Sequence, residues 1–258
     1  MAARHGLDYR RSTIRGERWY FGGDGEVMAE EVLRTENLVK RFGGFTAVAG
    51  VSITFYEGER IGLIGPNGAG KTTFINLISG HLKPDSGKIF FKGVDVTKAP
   101  PYKKVMMGMN RTFQIPSIFK SLTVYQNVQL AAKKAGQPYS VDKLLTMLGL
   151  EKVADVKAAN LSYGMMKIVE LAMTMVSNPS LLLLDEPTAG LTSQEKKQII
   201  QVLRTLPERC TIVMVEHDID LVFDFAGRVV VMHRGEVLSD GKPEEIAVDT
   251  KVREVYLG

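Results

Sequence analysis

The chain has 258 residues, enough for one large domain or a core domain with a smaller lobe. An apolar share of 45% and a charged share of 24% are those of an ordinary globular protein, and no run approaches the roughly 20 apolar residues of a membrane-spanning helix. The net charge of +4 suits an anionic ligand or a membrane surface but is too weak to argue for nucleic acid, and the single cysteine, Cys210, excludes an internal disulfide or a cysteine-based zinc site.

Residues 1–31 read as a basic extension without ordered packing. Arg4, Arg10, Arg11, Arg15 and Arg18 are interleaved with Gly6, Gly16, Gly22, Gly23 and Gly25, with few aliphatics. A start at Met28, or a membrane-surface arm anchored by Trp19, Tyr20 and Phe21, are the alternatives. The apolar segment of a secretory signal is missing, so export is not expected.

The domain proper spans 32–258. Leu33–Val39 and Val48–Phe55 read as strands about a turn at Gly43–Gly44, and Arg60–Ile64 is a short buried strand entering a glycine-rich turn. A helix is predicted over Lys71–Ser79. The turn residues Pro84, Asp85 and Gly87 precede a strand at Lys88–Phe91. From about Gln114 to Val176, positions such as Val124, Val128, Leu144, Leu148, Ile168, Leu171 and Met175 recur at helical spacing, marking an inserted helical lobe at roughly 115–178. Alternation then resumes: strand Leu181–Leu184, helix Gln194–Leu206, strand Thr211–Val215, helix Ile219–Phe225 and strand Arg228–Met232. Such alternation implies an α/β fold with a mainly parallel sheet.

Gly65, Pro66, Asn67, Gly68, Ala69, Gly70, Lys71 and Thr72 match the phosphate-binding loop G-x-x-x-x-G-K-[ST] at every fixed position, between a predicted strand and a predicted helix. Glycines let backbone N–H groups turn onto phosphate oxygens, and the helix points its positive end at the same charge. In such a loop Lys71 reaches the β- and γ-phosphates of ATP and Thr72 supplies an oxygen to Mg²⁺, with Thr73 beside it. Leu181–Leu184 followed by Asp185 and Glu186 is the second half of this machinery. The strand delivers Asp185 to the magnesium shell, and Glu186 orients the attacking water or takes its proton. A glycine-rich turn or an acidic turn alone is commonplace; both in this order are not.

With those residues in place, the chain resembles ABC ATPases from about Val32 to its end. Phe42 matches the aromatic ring that stacks on adenine. Gln114, in Arg111-Thr112-Phe113-Gln114, matches the glutamine that couples the metal to the helical lobe. Leu161-Ser162-Tyr163-Gly164-Met165 matches the signature loop, whose Ser162 and Gly164 touch ATP. Ala189-Gly190-Leu191-Thr192 matches the inter-subunit loop, and His217 the switch histidine at the γ-phosphate. The resemblance implies a P-loop NTPase core with an antiparallel β subdomain near the N-terminus and an inserted helical lobe. It also implies a Mg-dependent ATPase in which Glu186, His217 and Gln114 are catalytic, and Thr72, Gln114 and Asp185 hold Mg²⁺.

In detail the chain is similar to the ATPases of branched-chain (hydrophobic) amino-acid importers. Arg-Thr-Phe-Gln, Glu216-His217-Asp218 and the ending Val255-Tyr256-Leu257-Gly258 carry this likeness, the first pointing to the first ATPase of a pair. The partners implied are a second ATPase chain in a hetero- or homodimer, two membrane permease subunits and, indirectly, an extracytoplasmic solute-binding protein. The chain is then peripheral, on the cytoplasmic face of the cell membrane, and binds no nucleic acid. ATPases of urea import or lipopolysaccharide-type export, and a low-turnover nucleotide-gated module, stay open as alternatives.

Two positions depart from the pattern. Ser162 is expected to cap the helix from about Gly164 to Val176, but Met165, where the family has glutamine, cannot return the hydrogen bond of a Ser-x-x-Gln capping box. Thr192 stands where many relatives carry aspartate; it keeps a hydrogen bond for a dimer interface and loses the charge.

Overall fold

In the computed structural model the described residues are 10–14, 17–21, 30–112, 116–135 and 140–257. Within the basic extension, β1 (Arg10–Ile14) and β2 (Glu17–Phe21) pair antiparallel, with Ser12 opposite Trp19. The rest of 1–29, and the side chains of Trp19, Tyr20 and Phe21, lie outside the described residues.

Strand β3 (Glu31–Phe42) turns at Gly43–Gly44 into β4 (Phe45–Val51), and β5 (Thr54–Tyr56) follows. Alternation suggested one strand over 48–55, and the structure breaks it at Ser52–Ile53. The buried Thr35 hydroxyl inserts there, donating to Val51 O at 3.1 Å and accepting from Ile53 N at 3.1 Å in place of a ladder rung. β6 (Arg60–Ile64) and α1 (Lys71–Ser79) have the predicted bounds. β7 (Ser86–Phe91) and β8 (Val94–Asp95) complete an antiparallel sheet in the order β4-β3-β7-β8, with β5 on β3. α2 (Pro101–Met106) and β9 (Met109–Arg111) were not legible as elements: the first opens on a double proline, and the second is too short to show a period.

The inserted segment contains α3 (Val124–Ala135), α4 (Val141–Met147) and α5 (Tyr163–Met175). Val124, Val128, Leu144, Leu148, Ile168, Leu171 and Met175 are all buried, so the helical spacing read from the sequence faces a core. β10 (Leu181–Asp185), α6 (Ser193–Arg204), β11 (Thr211–Val215), α7 (Ile219–Phe225) and β12 (Arg228–His233) lie close to their predicted bounds. β13 (Glu236–Gly241), α8 (Pro243–Val248) and α9 (Thr250–Leu257) extend beyond the elements the sequence reading placed.

Among the described residues the main sheet runs β13-β12-β6-β11-β10-β9, parallel except for the edge pair β12 and β13. A mainly parallel core, an antiparallel subdomain and a helical insertion are the architecture expected. The leucines of β10 divide by parity. Leu181 and Leu183 join Val213, Val215 and Phe74 on one face, while Leu182 and Leu184 join Ile212, Met214 and Val169 on the other. A strand buried on both faces reads as an unbroken apolar run, and each such leucine contributes about 1.5–3 kcal/mol of burial. Because β6, β11 and β10 are neighbours, their C-terminal ends bring the phosphate loop, Glu216-His217 and Asp185-Glu186 to one edge, where open parallel sheets place ligands.

Candidate active site

Helix α1 starts without a side-chain cap; its N-cap is Gly70 at φ 99°, and no acid lies in its first turn. The N–H groups of that turn and the positive helix end are therefore directed at the loop. Two glycines are required by close approach. A Cβ on Gly65 would meet Met232 O at 2.1 Å, and one on Gly70 would meet Ala47 O at 2.2 Å. Ala69 packs into the core below, while Asn67, Gly68 and Thr72 are exposed and Pro66 and Thr73 half-buried. Lys71 arches over the loop, its Nζ donating to Gly65 O at 2.6 Å and Pro66 O at 3.1 Å. Burial lowers its pKa, and the nearby Glu186 and Asp185 carboxylates oppose that shift.

Asp185 ends β10 in a buried ion pair, its Oδ2 2.7 Å from Arg111 Nη2. The same guanidinium reaches Asn76 and Ser79, so Arg111 ties the acidic end of β10 to α1. Glu186 sits in the left-handed region at φ 50°. Its N–H donates to Val215 O at 2.9 Å, and its Oε1 lies 3.0 Å from His217 Nε2. Glu216, itself buried, accepts from Thr188 N at 2.8 Å and Thr188 Oγ1 at 2.7 Å, bracing the loop that follows Glu186.

Ser162 caps α5, accepting from Met165 N at 3.2 Å. The carboxylate of Glu195 on α6 closes over the same helix start; a Cβ on Gly164 would meet its Oε1 at 2.7 Å. Thr192 is engaged within the chain, as the N-cap of a capping box in which its hydroxyl donates to Glu195 Oε2 at 2.9 Å. Threonine at this position thus anchors α6 as a helix start, a role that the expectation of an interface contact did not include. Phe42 stands half-exposed at the tip of the β3–β4 hairpin, with Lys40 Nζ 5.6 Å from its ring centre. Gln114 lies outside the described residues, as does Phe113.

Hollows of about 430 and 440 Å³ lie away from these residues, between α6 and α7 and beside Cys210. The family model described as ABC transporter matches residues 48–189. The chain belongs to the ABC transporter family. It is similar to the probable branched-chain amino acid transport ATP-binding protein LivG of Archaeoglobus fulgidus, 37% identical over 246 residues, covering 88% of this chain and 96% of the relative. An ATP-binding cassette of an ABC transporter solved in its ADP conformation superposes with a TM-score of 0.80 at 35% identity, covering 88% of this chain and 99% of that one. A dimeric cassette in a post-hydrolysis state bound to ADP and Pi gives a TM-score of 0.71 at 27% identity, over 82% of this chain and 98% of that one.

The activity of this ABC ATPase is ATP hydrolysis. Its residues also suit magnesium: a hard cation takes few protein oxygens and completes its shell with phosphate and water. Asp185 and the exposed Thr72 offer such oxygens. Sequence reasoning did not single out Lys167, the Glu216–Thr188 brace or Glu195 in this ABC ATPase. Signals existed for two of them: Lys167, as a charged residue on the apolar face that α5 shares with Leu171, and Glu195, as the fourth residue of a Thr192-x-x-Glu195 capping box.

Proposed function

We propose that this chain is the ATP-hydrolysing subunit of an importer for branched-chain or other amino acids. Hydrolysis is carried by one observation: Lys71, Asp185 and the Glu186–His217 pair converge at the ends of neighbouring strands. The solute class rests on likeness to LivG. In this reading Phe42 offers adenine a face, and the backbone from Gly65 to Gly70, with Lys71 and Thr73, holds the phosphates. Mg²⁺, held by Thr72, Asp185 and Gln114, would neutralise phosphate charge. Glu186 orients the attacking water and accepts its proton, while His217 holds Glu186 and meets the γ-phosphate. Phosphoryl transfer of this kind depends on positioning and charge stabilisation.

Ser162 and Gly164 then serve nucleotide bound by a second ATPase chain, in a homo- or heterodimer like the dimeric cassette. Among the described residues no helix is long and apolar enough to cross a membrane. In this reading the path for solute is provided by two permease subunits. An extracytoplasmic solute-binding protein supplies them, and the chain is peripheral on the cytoplasmic face.

Glu186→Gln is expected to bind ATP and lose turnover by about 10²-fold or more, while Lys71→Ala loses binding. Turnover at the parent rate in Glu186→Gln would remove the proposal. Stimulation of the reconstituted assembly by a leucine-loaded binding protein checks the solute class; stimulation by urea alone would redirect it.

A further inference from the structure

Lys167 is a long cation on the buried face of α5, 5% exposed, five residues beyond the Ser162 cap of the signature loop. Burying an ammonium is costly unless it is paired and hydrogen-bonded. Burial lowers the pKa of Lys167, and the carboxylates of Glu170, Glu216, Glu186 and Asp185 oppose this. Within that acidic surround its Nζ donates to the main-chain carbonyl of Glu186 at 3.1 Å and stands 5.4 Å from the ring centre of Tyr163 in the signature loop.

The bonded carbonyl belongs to a strained residue. Glu186 is not glycine, yet it holds φ 50°, a conformation that L-residues rarely adopt and that persists only when neighbours over-determine it. Its N–H is fixed on Val215 O at 2.9 Å, and its C=O is held by Lys167 at 3.1 Å and by Ala189 N at 3.2 Å. Those bonds set both peptide planes flanking Glu186, and hence the direction of its side chain toward His217.

We propose that Lys167 is a positioning residue for Glu186, holding its main chain from the helix that begins at the signature loop. The inference rests on the reading of Glu186 as the water-orienting carboxylate. It also has a mechanical consequence. The loop offered to one nucleotide and the carboxylate acting on the other are pinned together within each chain, so displacement of α5 moves Glu186.

The test measures steady-state ATPase and nucleotide affinity in the full chain, in the assembly that turns over ATP. Lys167→Met keeps the stem and removes the donor. Lys167→Gln keeps polarity but is one bond too short for the carbonyl, and it serves if the methionine variant fails to fold. Either variant is expected to lower kcat by about tenfold or more while KM and ATP affinity stay within about twofold. Lys167→Arg, which can reach the carbonyl, restores most of kcat.

In the Glu186→Gln background the same substitutions should cost nothing further in residual turnover, because Lys167 acts only through Glu186. Parent-like kcat in Lys167→Gln, or an equal loss in both backgrounds, would overturn the proposal. Parent-like turnover in Glu186→Gln alone would instead sink the assignment of Glu186.

Discussion

His217 Nε2 lies 3.0 Å from Glu186 Oε1, the histidine side chain 47% accessible against 19% for the carboxylate. The histidine backbone is steadied in turn by Glu216 Oε2, 3.2 Å from His217 N. His217 therefore limits the directions Glu186 can take without entering the phosphate loop. Substituting His217→Ala is expected to reduce kcat by about 10²-fold with little change in ATP affinity. Single-turnover kinetics with a parallel binding titration checks the split; loss of affinity without loss of kcat would assign His217 to binding.

Met165 gives a second test. Ser162 caps α5, but the methionine returns no bond to the Ser162 backbone. Glu195 fills part of that role from α6, its carboxylate held mainly by the Thr192 N–H and hydroxyl and also meeting Gly164 N–H and the Ser162 hydroxyl, which together lower its pKa. Met165 also packs against the lobe core, so Met165→Gln exchanges apolar contact for a capping bond. The net gain is expected to be at or below about 1 kcal/mol. Glu195→Ala, which removes the Thr192 capping box and the contact at Gly164 together, should lower the unfolding midpoint. Urea unfolding of both variants decides it; a Glu195→Ala midpoint equal to the parent's would show the contact to be idle.

A third expectation concerns pH. Lys104 is 1% exposed and donates to Ile78 O at 2.6 Å, closing the C-terminal end of α1. Burial brings its pKa from 10.5 down to about 8. Between those values the unfolded chain binds more protons than the folded one. Stability therefore rises with pH across the window and is lost as pH falls through the folded value, at no more than about 1.4 kcal/mol per pH unit. Cys210 works in the opposite direction, because burial raises its thiol from 9.0 to about 11 and the unfolded chain ionises first. The lysine effect is thus cleanest between about pH 8 and 9. Lys104→Met should reduce the upward slope there, leaving the part contributed in the same direction by Lys71 and Lys167, and unfolding curves at closely spaced pH values will show it. An unchanged slope would mean that other groups carry it.

Much of this protein was written in local pattern. The bounds of β6, α1, β11 and α7 follow from apolar runs, a glycine-rich turn and an Asp cap, since backbone hydrogen bonding and side-chain period act over a few residues. The loop at 65–72 and Asp185-Glu186 could be singled out for the same reason, since the chemistry proposed for them needs contiguous residues, and the loop does run from a strand into a helix. The interruption at Ser52–Ile53 was not legible, because it is made by the side chain of Thr35 from another strand.

The contacts that aim the site belong to that second kind. Arg111 on Asp185, Lys167 on the Glu186 carbonyl, Glu195 over Gly164 and Glu216 on Thr188 each join elements separated in the chain. Sequence by itself determined which groups this protein has available and which strand ends present them. Only the tertiary structure decided which charge meets which, because electrostatic and hydrogen-bond energies depend on distances of a few ångströms that packing between distant segments sets.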